Sequence, residues 1–314
     1  MTLFRRVIRF FLTLLGIIAG LVVAMALLIA RLMIRPPRQP LWATPQDAGM
    51  DYEDVEFPAR DGLRLSGWFI PAKGEGERPA IVLVHGWFWN RLGEAADNLI
   101  ANLSGATPVD LLRLAHRLHQ ADYNVLMFDL RNHGQSAASA GVTFGLQEAN
   151  DVLGALDFLG GRRDVAQEKI GAVAFSMGAN TLLYALPGTE RIKAAVAVQP
   201  TSPVVFAPRY VRDLMGPLGK PALALAHQIY RQITRLSLGS IEPVMAAAGA
   251  GERPILYVQG KGDRWGSVSN VAHMVEKTPN AVDPLFVETH HRFGGYRYPI
   301  NHPDVVLEFF ERTL

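Results

Sequence analysis

The chain has no cysteine. Disulfides and thiolate metal sites are therefore excluded, and the protein would be indifferent to an oxidising compartment. It also lacks charge of a dominant sign: 31 Lys and Arg against 29 Asp and Glu leave +2, too little and too dispersed for a nucleic-acid surface. No G-x-x-x-x-G-K-[ST] run is present, so the usual phosphate cradle is missing and no nucleotide partner is expected. H-E-x-x-H is absent as well. His116 and His119 stand three apart on a helix pattern without a third ligand, and read as a solvated face rather than a zinc site. Neither metal nor cofactor is expected.

What the chain has in abundance is apolar residues, 49% of its 314 positions, enough for one large core. The longest apolar run is Phe10 to Ala30, FFLTLLGIIAGLVVAMALLIA, uncharged and with only Thr13 polar. As a helix at ~1.5 Å per residue it reaches ~30 Å, the thickness of a bilayer core. The run is longer than a signal-peptide core, and Arg31, Leu32 and Met33 follow without a small-x-small cleavage site, so an uncleaved single-pass membrane anchor is expected. Arg5, Arg6 and Arg9 precede the span, and Arg31, Arg35 and Arg38 follow it. The charge rule is nearly tied. With the short N-terminal tail and the missing cysteines, it leans toward an extracytoplasmic domain. Gly16, Gly20 and Ala24 recur every four residues on one face, where two such helices could approach as a weak dimer.

Residues 1–40 thus read as anchor plus Pro-rich spacer, because Arg35-Pro36-Pro37-Arg38-Gln39-Pro40 cannot continue a helix. A folded domain is expected over 47–314. Asp51 to Phe57 and Leu63 to Ile70 predict a hairpin about Asp61-Gly62. Strands then alternate with helices: strands Ala80 to Val84, Asn124 to Asp129, Ile170 to Ala174, Ile192 to Val198, Pro254 to Gln259 and Pro284 to Thr289, with helices Asp110 to Gln120, Leu146 to Leu159, Ser267 to Glu276 and Pro303 to Arg312. Repeated βα units predict an α/β fold with a mostly parallel, doubly wound sheet and an antiparallel edge. Arg91 to Pro108 and a stretch about 203–249, broken by Pro203, Pro208, Pro217 and Pro221, do not keep that rhythm and read as cap or lid segments.

The chemistry concentrates at Ala174-Phe175-Ser176-Met177-Gly178, between a buried strand and the helix pattern Thr181 to Leu186. It is a G-x-S-x-G variant with alanine in the first position. Such a turn would lift the Ser176 hydroxyl over the sheet edge and leave the Met177 N–H at a helix N-terminus, where an anion is favoured. His85-Gly86 follows one strand, Asp129 to Ser136 another, and Gly260-Lys261-Gly262-Asp263 a later one. In that order these motifs resemble the α/β-hydrolase fold family, most closely its single-pass, membrane-anchored serine hydrolases. The resemblance covers about Asp51 to Leu314.

It implies a Ser-His-Asp triad: Ser176 as nucleophile, Asp263 as acid, and His291, with His290 as the alternative, as base, because strand Leu285 to Thr289 runs straight into the two histidines. His291 is preferred for its nearness to Gly294 and Gly295. The resemblance also implies an oxyanion hole of the Trp87 and Met177 N–H groups, while His85 and His133 read as turn-fixing residues. Phe88, Trp89, Trp265 and Phe293 fall on loops at the expected mouth and suggest an apolar pocket. Carboxylic acyl esters, lipid or lysolipid esters among them, fit best. A peptidase or thioesterase would use the same triad, and a catalytically silent hydrolase-like binding or scaffold domain is the rival of a different class.

Overall fold

The computed structural model describes residues 2–97 and 105–314. It opens with helix α1, Thr2–Ile34, long and apolar enough to cross a membrane. Its first two-thirds are exposed, Gly16, Gly20 and Ala24 included. Beyond that the helix changes partner: Ala26, Ile29, Ala30, Leu32, Met33 and Ile34 are buried against the rest of the chain. The Pro-rich segment that follows is not the free spacer expected from its composition. Arg38 donates to the carbonyls of Gly134 at 2.7 Å and Ser136 at 2.6 Å, and Gln39 donates to the Phe88 carbonyl at 2.8 Å. Asn90 in turn donates to the Pro40 carbonyl at 3.0 Å. Proline stiffness keeps the segment extended, and its polar groups satisfy themselves on the body of the protein instead of in water.

The strands are β1 Glu53–Pro58, β2 Arg64–Ile70, β3 Arg78–Val84, β4 Gly93–Glu94, β5 Val109–Asp110, β6 Asn124–Phe128, β7 Val165–Phe175, β8 Ile192–Val198, β9 Ile255–Gly260 and β10 Leu285–Val287. Eight of them form one sheet in the order β1-β2-β6-β3-β7-β8-β9-β10. The β1–β2 hairpin, turning at Gly62 with φ +87°, supplies the antiparallel edge, and every pair from β6 to β10 is parallel. The two short strands β4 and β5 pair separately. Parallel strands covered on both faces need side chains apolar throughout, and β3, β7 and β8 comply: Ile81, Val82, Val173, Ala174, Val196 and Ala197 are all fully buried. The fold is the α/β-hydrolase architecture.

Helices pack on the two faces of the sheet: α2 Leu111–Gln120, α3 Ala149–Gly160, α4 Met177–Ala185, then α8 Val268–Lys277, α9 Arg292–Asn301 and α10 Asp304–Thr313. Asp110 caps α2 by accepting the Arg113 N–H at 3.1 Å, as a residue at the start of that apolar pattern should. On α2, His119 is buried rather than solvated, since the amphipathic pattern turns it toward the core. Between β8 and β9 the chain leaves the sheet for α5 Pro203–Met215, α6 Gly219–Thr234 and α7 Pro243–Ala246, and α1 packs along α6. Of the other stretch read as cap, Arg91 to Pro108, residues 98–104 lie outside the described residues.

Candidate active site

Ser176 sits at the junction of β7 and α4 with φ +53° and ψ −117°, a region that a residue bearing a side chain occupies only under constraint. The constraint is visible. The Ser176 N–H donates to Val198 O at 2.8 Å, and α4 is pressed so close to β3 that a Cβ on Gly178 would lie 2.4 Å from the His85 carbonyl oxygen. Only glycine fits there. The fully buried first position takes Ala174 without difficulty. Helix α4 starts at Met177, whose N–H is one of the donors without a partner inside the helix. Across the sheet edge, Trp87 precedes Phe88, itself at φ +72°, and the two rings stack 3.8 Å apart. Trp87, Ser176 and Met177 line one cavity together.

The loops beneath are fixed by buried polar groups. His85 Nδ1 lies 2.8 Å from the Gly86 carbonyl, and its Nε2 accepts the Leu130 N–H at 2.9 Å, which identifies the neutral ring with its proton on Nδ1. Burial holds the His85 pKa below its ordinary value. Asp129 accepts from the Arg91 backbone at 2.7 Å, from the Arg91 guanidinium at 2.7 Å and from the Gln135 N–H at 2.8 Å. Burial alone would raise the Asp129 pKa, but Arg91 outweighs it and the group is shifted down. His133 Nδ1 contacts the Arg131 carbonyl at 2.8 Å. These residues brace the turns that flank Ser176; His85 and His133 have the structural roles expected of them.

Asp263, expected as the acid, lies beside the Ser176 site, and the histidines expected as the base do not. Asp263, in the turn after β9, accepts the Trp265 and Gly266 N–H groups at 3.0 and 2.8 Å through Oδ1. Its Oδ2 is ion-paired with Arg292 Nη1, and Arg292 Nη2 donates to Ser176 Oγ at 3.2 Å. The group linking Asp263 to Ser176 is thus Arg292, not His291 or His290, both of which are exposed. The reason is a helix where Gly294 and Gly295 would favour a loop. Helix α9 begins at Arg292, which makes His291 its N-cap: the ring accepts the Gly294 N–H at 3.3 Å and so turns outward, and the next side chain faces Ser176. Gly294 and Gly295 belong to that helix. A Cβ on Gly295 would stand 2.2 Å from Gln199 Oε1, so this glycine serves close packing rather than a fold-over of the chain.

Arg292 is buried, and its carbonyl accepts the Gln199 side chain at 2.8 Å. Burial opposes its charge, but the Asp263 carboxylate more than compensates, and its pKa is raised. A guanidinium has no lone pair to accept a proton, so among the described residues Arg292, which links Ser176 and Asp263, cannot act as a base. Tyr296 completes the cluster. Burial pushes its hydroxyl up to about 12, with Arg292 and Ser176 beside it. Arg292 and Tyr296 were not picked out in the sequence, although a buried carboxylate after β9 demands a cation and arginine is the residue that best pairs with one.

Two cavities meet at Ser176. One of about 270 Å³ runs from Ser176 between α5 and α6 to the last turns of α1, where Leu28, Leu32 and Met33 form its wall. The other, about 60 Å³, is walled by Phe88, Trp89, Trp265 and Phe293, with Glu94 at one side. The aromatic residues expected to line the pocket therefore line the smaller of the two. The larger one is walled by residues of α1 and of the cap, with Trp87 and Met177 at its Ser176 end.

The model of the Alpha/beta hydrolase family matches residues 81–308, from the strand before His85 to the last helix. The chain belongs to the α/β-hydrolase family. Among curated relatives of this hydrolase is the uncharacterized protein YfhR of Salmonella typhi, 31% identical over 46% of this chain and 42% of that protein. Another is the polyketide transferase af380 of Aspergillus fumigatus, 30% identical over 53% of this chain and 51% of that protein. The hydrolase thus spans about half the length of the curated relatives it matches. Among solved structures, the Pyrococcus furiosus esterase Pf2001 superposes with a TM-score of 0.67 at 22% identity, covering 89% of this chain and 99% of that one. The acylaminoacyl peptidase of Pyrococcus horikoshii gives 0.56 at 19% identity, over 84% and 42%. At these identities the likeness is one of fold.

Proposed function

We propose that this hydrolase cleaves apolar acyl esters through Ser176. The observation that carries the reading is the left-handed backbone of Ser176 at the meeting point of two largely apolar cavities. A non-glycine residue held there costs of order 1–3 kcal/mol, a strain that serves to present one hydroxyl beside a helix N-terminus. In the proposed reaction Ser176 Oγ attacks the ester carbonyl, and the Met177 and Trp87 N–H groups receive the negative charge that develops on its oxygen. The alcohol leaves with a proton, and water then releases the acid from the acyl-enzyme. The acyl chain occupies the 270 Å³ cavity and the leaving group the smaller one.

Attack requires a base, and Arg292 cannot be one. We therefore assign the structure to a resting state, in which Arg292 holds both Asp263 and Ser176. In the working state His291 replaces it at the Asp263 carboxylate by a rearrangement of the first turn of α9. Among the described residues, the hydrogen bond from the Gly294 N–H holds the exposed His291 ring outward. A second reading is favoured by the same arginine: a silent domain that binds acyl compounds without cleaving them.

The two readings separate on the full-length protein in detergent micelles, incubated with p-nitrophenyl esters and with a fluorophosphonate. The hydrolase reading expects turnover and phosphonylation at Ser176, both reduced at least ~10³-fold in Ser176→Ala. No turnover and no adduct on the wild type would leave the binding reading.

A further inference from the structure

The apolar run of α1 ends at Ala30, yet the folded body already covers Ala26, Ile29 and Ala30. At ~1.5 Å per residue, that overlap brings the cap ~6 Å into the segment that would lie in hydrocarbon. If α1 spans a bilayer, the cap must sit within the headgroup layer. Its surface suits that position. Arg212, Lys220, Arg231 and Arg235 are exposed on the cap, and Arg31 and Arg35 are exposed on the adjoining end of α1. Between 203 and 235 the only acidic residue is Asp213, which is taken up by the Trp265 indole at 2.8 Å and Arg264 at 2.9 Å. Among these cations, Val204, Leu225 and Ile233 are exposed apolar side chains. Interleaved cations and apolar groups are what a surface resting on anionic lipid presents.

The cavity points the same way. Leu28, Ile29, Leu32 and Met33 form one stripe of α1 and line it as far as Ser176, while Leu28 remains 46% exposed. The wall of the cavity is thus continuous with the lipid-facing side of the anchor. We propose that the Ser176 cavity is filled from the bilayer: its ligand is a long-chain acyl lipid that slides in beside α1, tail against Leu28, Leu32 and Met33, ester toward Ser176. The proposal rests on the acyl-ester reading for what meets Ser176. Entry of the lipid requires no turnover.

That difference shapes the test. Full-length Ser176→Ala protein, unable to cleave, is reconstituted in vesicles of phosphatidylcholine and phosphatidylglycerol that contain a phosphatidylcholine with a diazirine on one acyl chain. After irradiation the cross-linked peptides are mapped. The proposal expects adducts on both walls of the cavity, on Leu28 to Met33 and on cap residues such as Leu214 and Leu223. It expects at least fivefold fewer cap adducts in Leu32→Trp, where the indole blocks the passage. Ile18→Trp, on the outer face of α1, should leave the pattern unchanged, and a thermal melt confirms that each variant is folded. Adducts confined to Phe10 to Val23 would overturn the proposal, as would cap adducts that persist undiminished in Leu32→Trp. Failure of the acyl-ester reading is separately visible, as a wild type that never reacts with fluorophosphonate.

Discussion

The elbow that holds Ser176 and the turn that should deliver its base lie against each other, yet they differ in how they are held. At the elbow the constraints are backbone ones: Gly178 pressed against the Val84 and His85 carbonyls, Ala174 buried in β7, and a backbone hydrogen bond from Ser176 to Val198. At the base turn the decision is made by one ion pair between residues 29 apart in the chain, Asp263 and Arg292. Backbone constraints of this kind admit one arrangement. An ion pair beside an exposed N-cap histidine, held by the Gly294 N–H, admits two, separated by which side chain meets the carboxylate. On the proposed function, Ser176 is thus held in place permanently, while the residue that meets Asp263 is a matter of state.

The comparison is broken most strongly by Asp263→Ala. In an ordinary triad, loss of the acid harms activity and leaves stability nearly alone; here it would strand the buried Arg292 without a counter-charge. Chemical denaturation should show a loss of about 3–5 kcal/mol, and Asp263→Ala combined with Arg292→Ala should recover much of it. Arg292→His sharpens the comparison from the other side, by placing an imidazole between Asp263 and Ser176 without any rearrangement. Ester turnover by this variant should rise about 10²-fold over wild type; a fall would mean that Arg292 is needed for more than occupancy.

The smallest effect comes from the bracing beneath the elbow. Burial lowers the His133 pKa to about 3, with the His85 ring against it, and Nε2 has no hydrogen-bond partner among the described residues. The unfolded chain binds this proton near pH ~6.5, so His133 contributes stability that is complete above that pH and is lost progressively as pH falls toward the folded value. Between pH 7.5 and 6 stability should fall by on the order of 1 kcal/mol, and His133→Gln should remove that part of the slope.

The elbow was legible in the sequence because its causes are local. Small residues at fixed spacing, an apolar strand before them and a helix pattern after them dictate the turn that Ser176 takes, and the order of βα units dictates the sheet. Asp263 was legible for the same reason. His291 and Arg292 were not, since adjacent residues at a helix start compete for one inward direction, and the outcome depends on where α9 begins. Gly295 is required by close packing on Gln199, nearly a hundred positions upstream, a contact that no local pattern announces. The end of α1 was missed differently. Composition identifies a span and a stiff Pro-rich segment, but not that the span's end would lie against the cap and the Pro-rich segment against the turns at Phe88 and Gly134, which depends on contacts between distant parts of the chain.

The central claim is that Ser176 is a working nucleophile whose base is His291, called in from the surface. The second-order rate of Ser176 phosphonylation by a fluorophosphonate, followed by intact-protein mass in wild type, His291→Ala and His290→Ala, tests it most directly. The account predicts a reactive wild type, His290→Ala within about twofold of it, and His291→Ala slower by about 10²-fold or more. A His291→Ala protein that reacts as fast as wild type would contradict it.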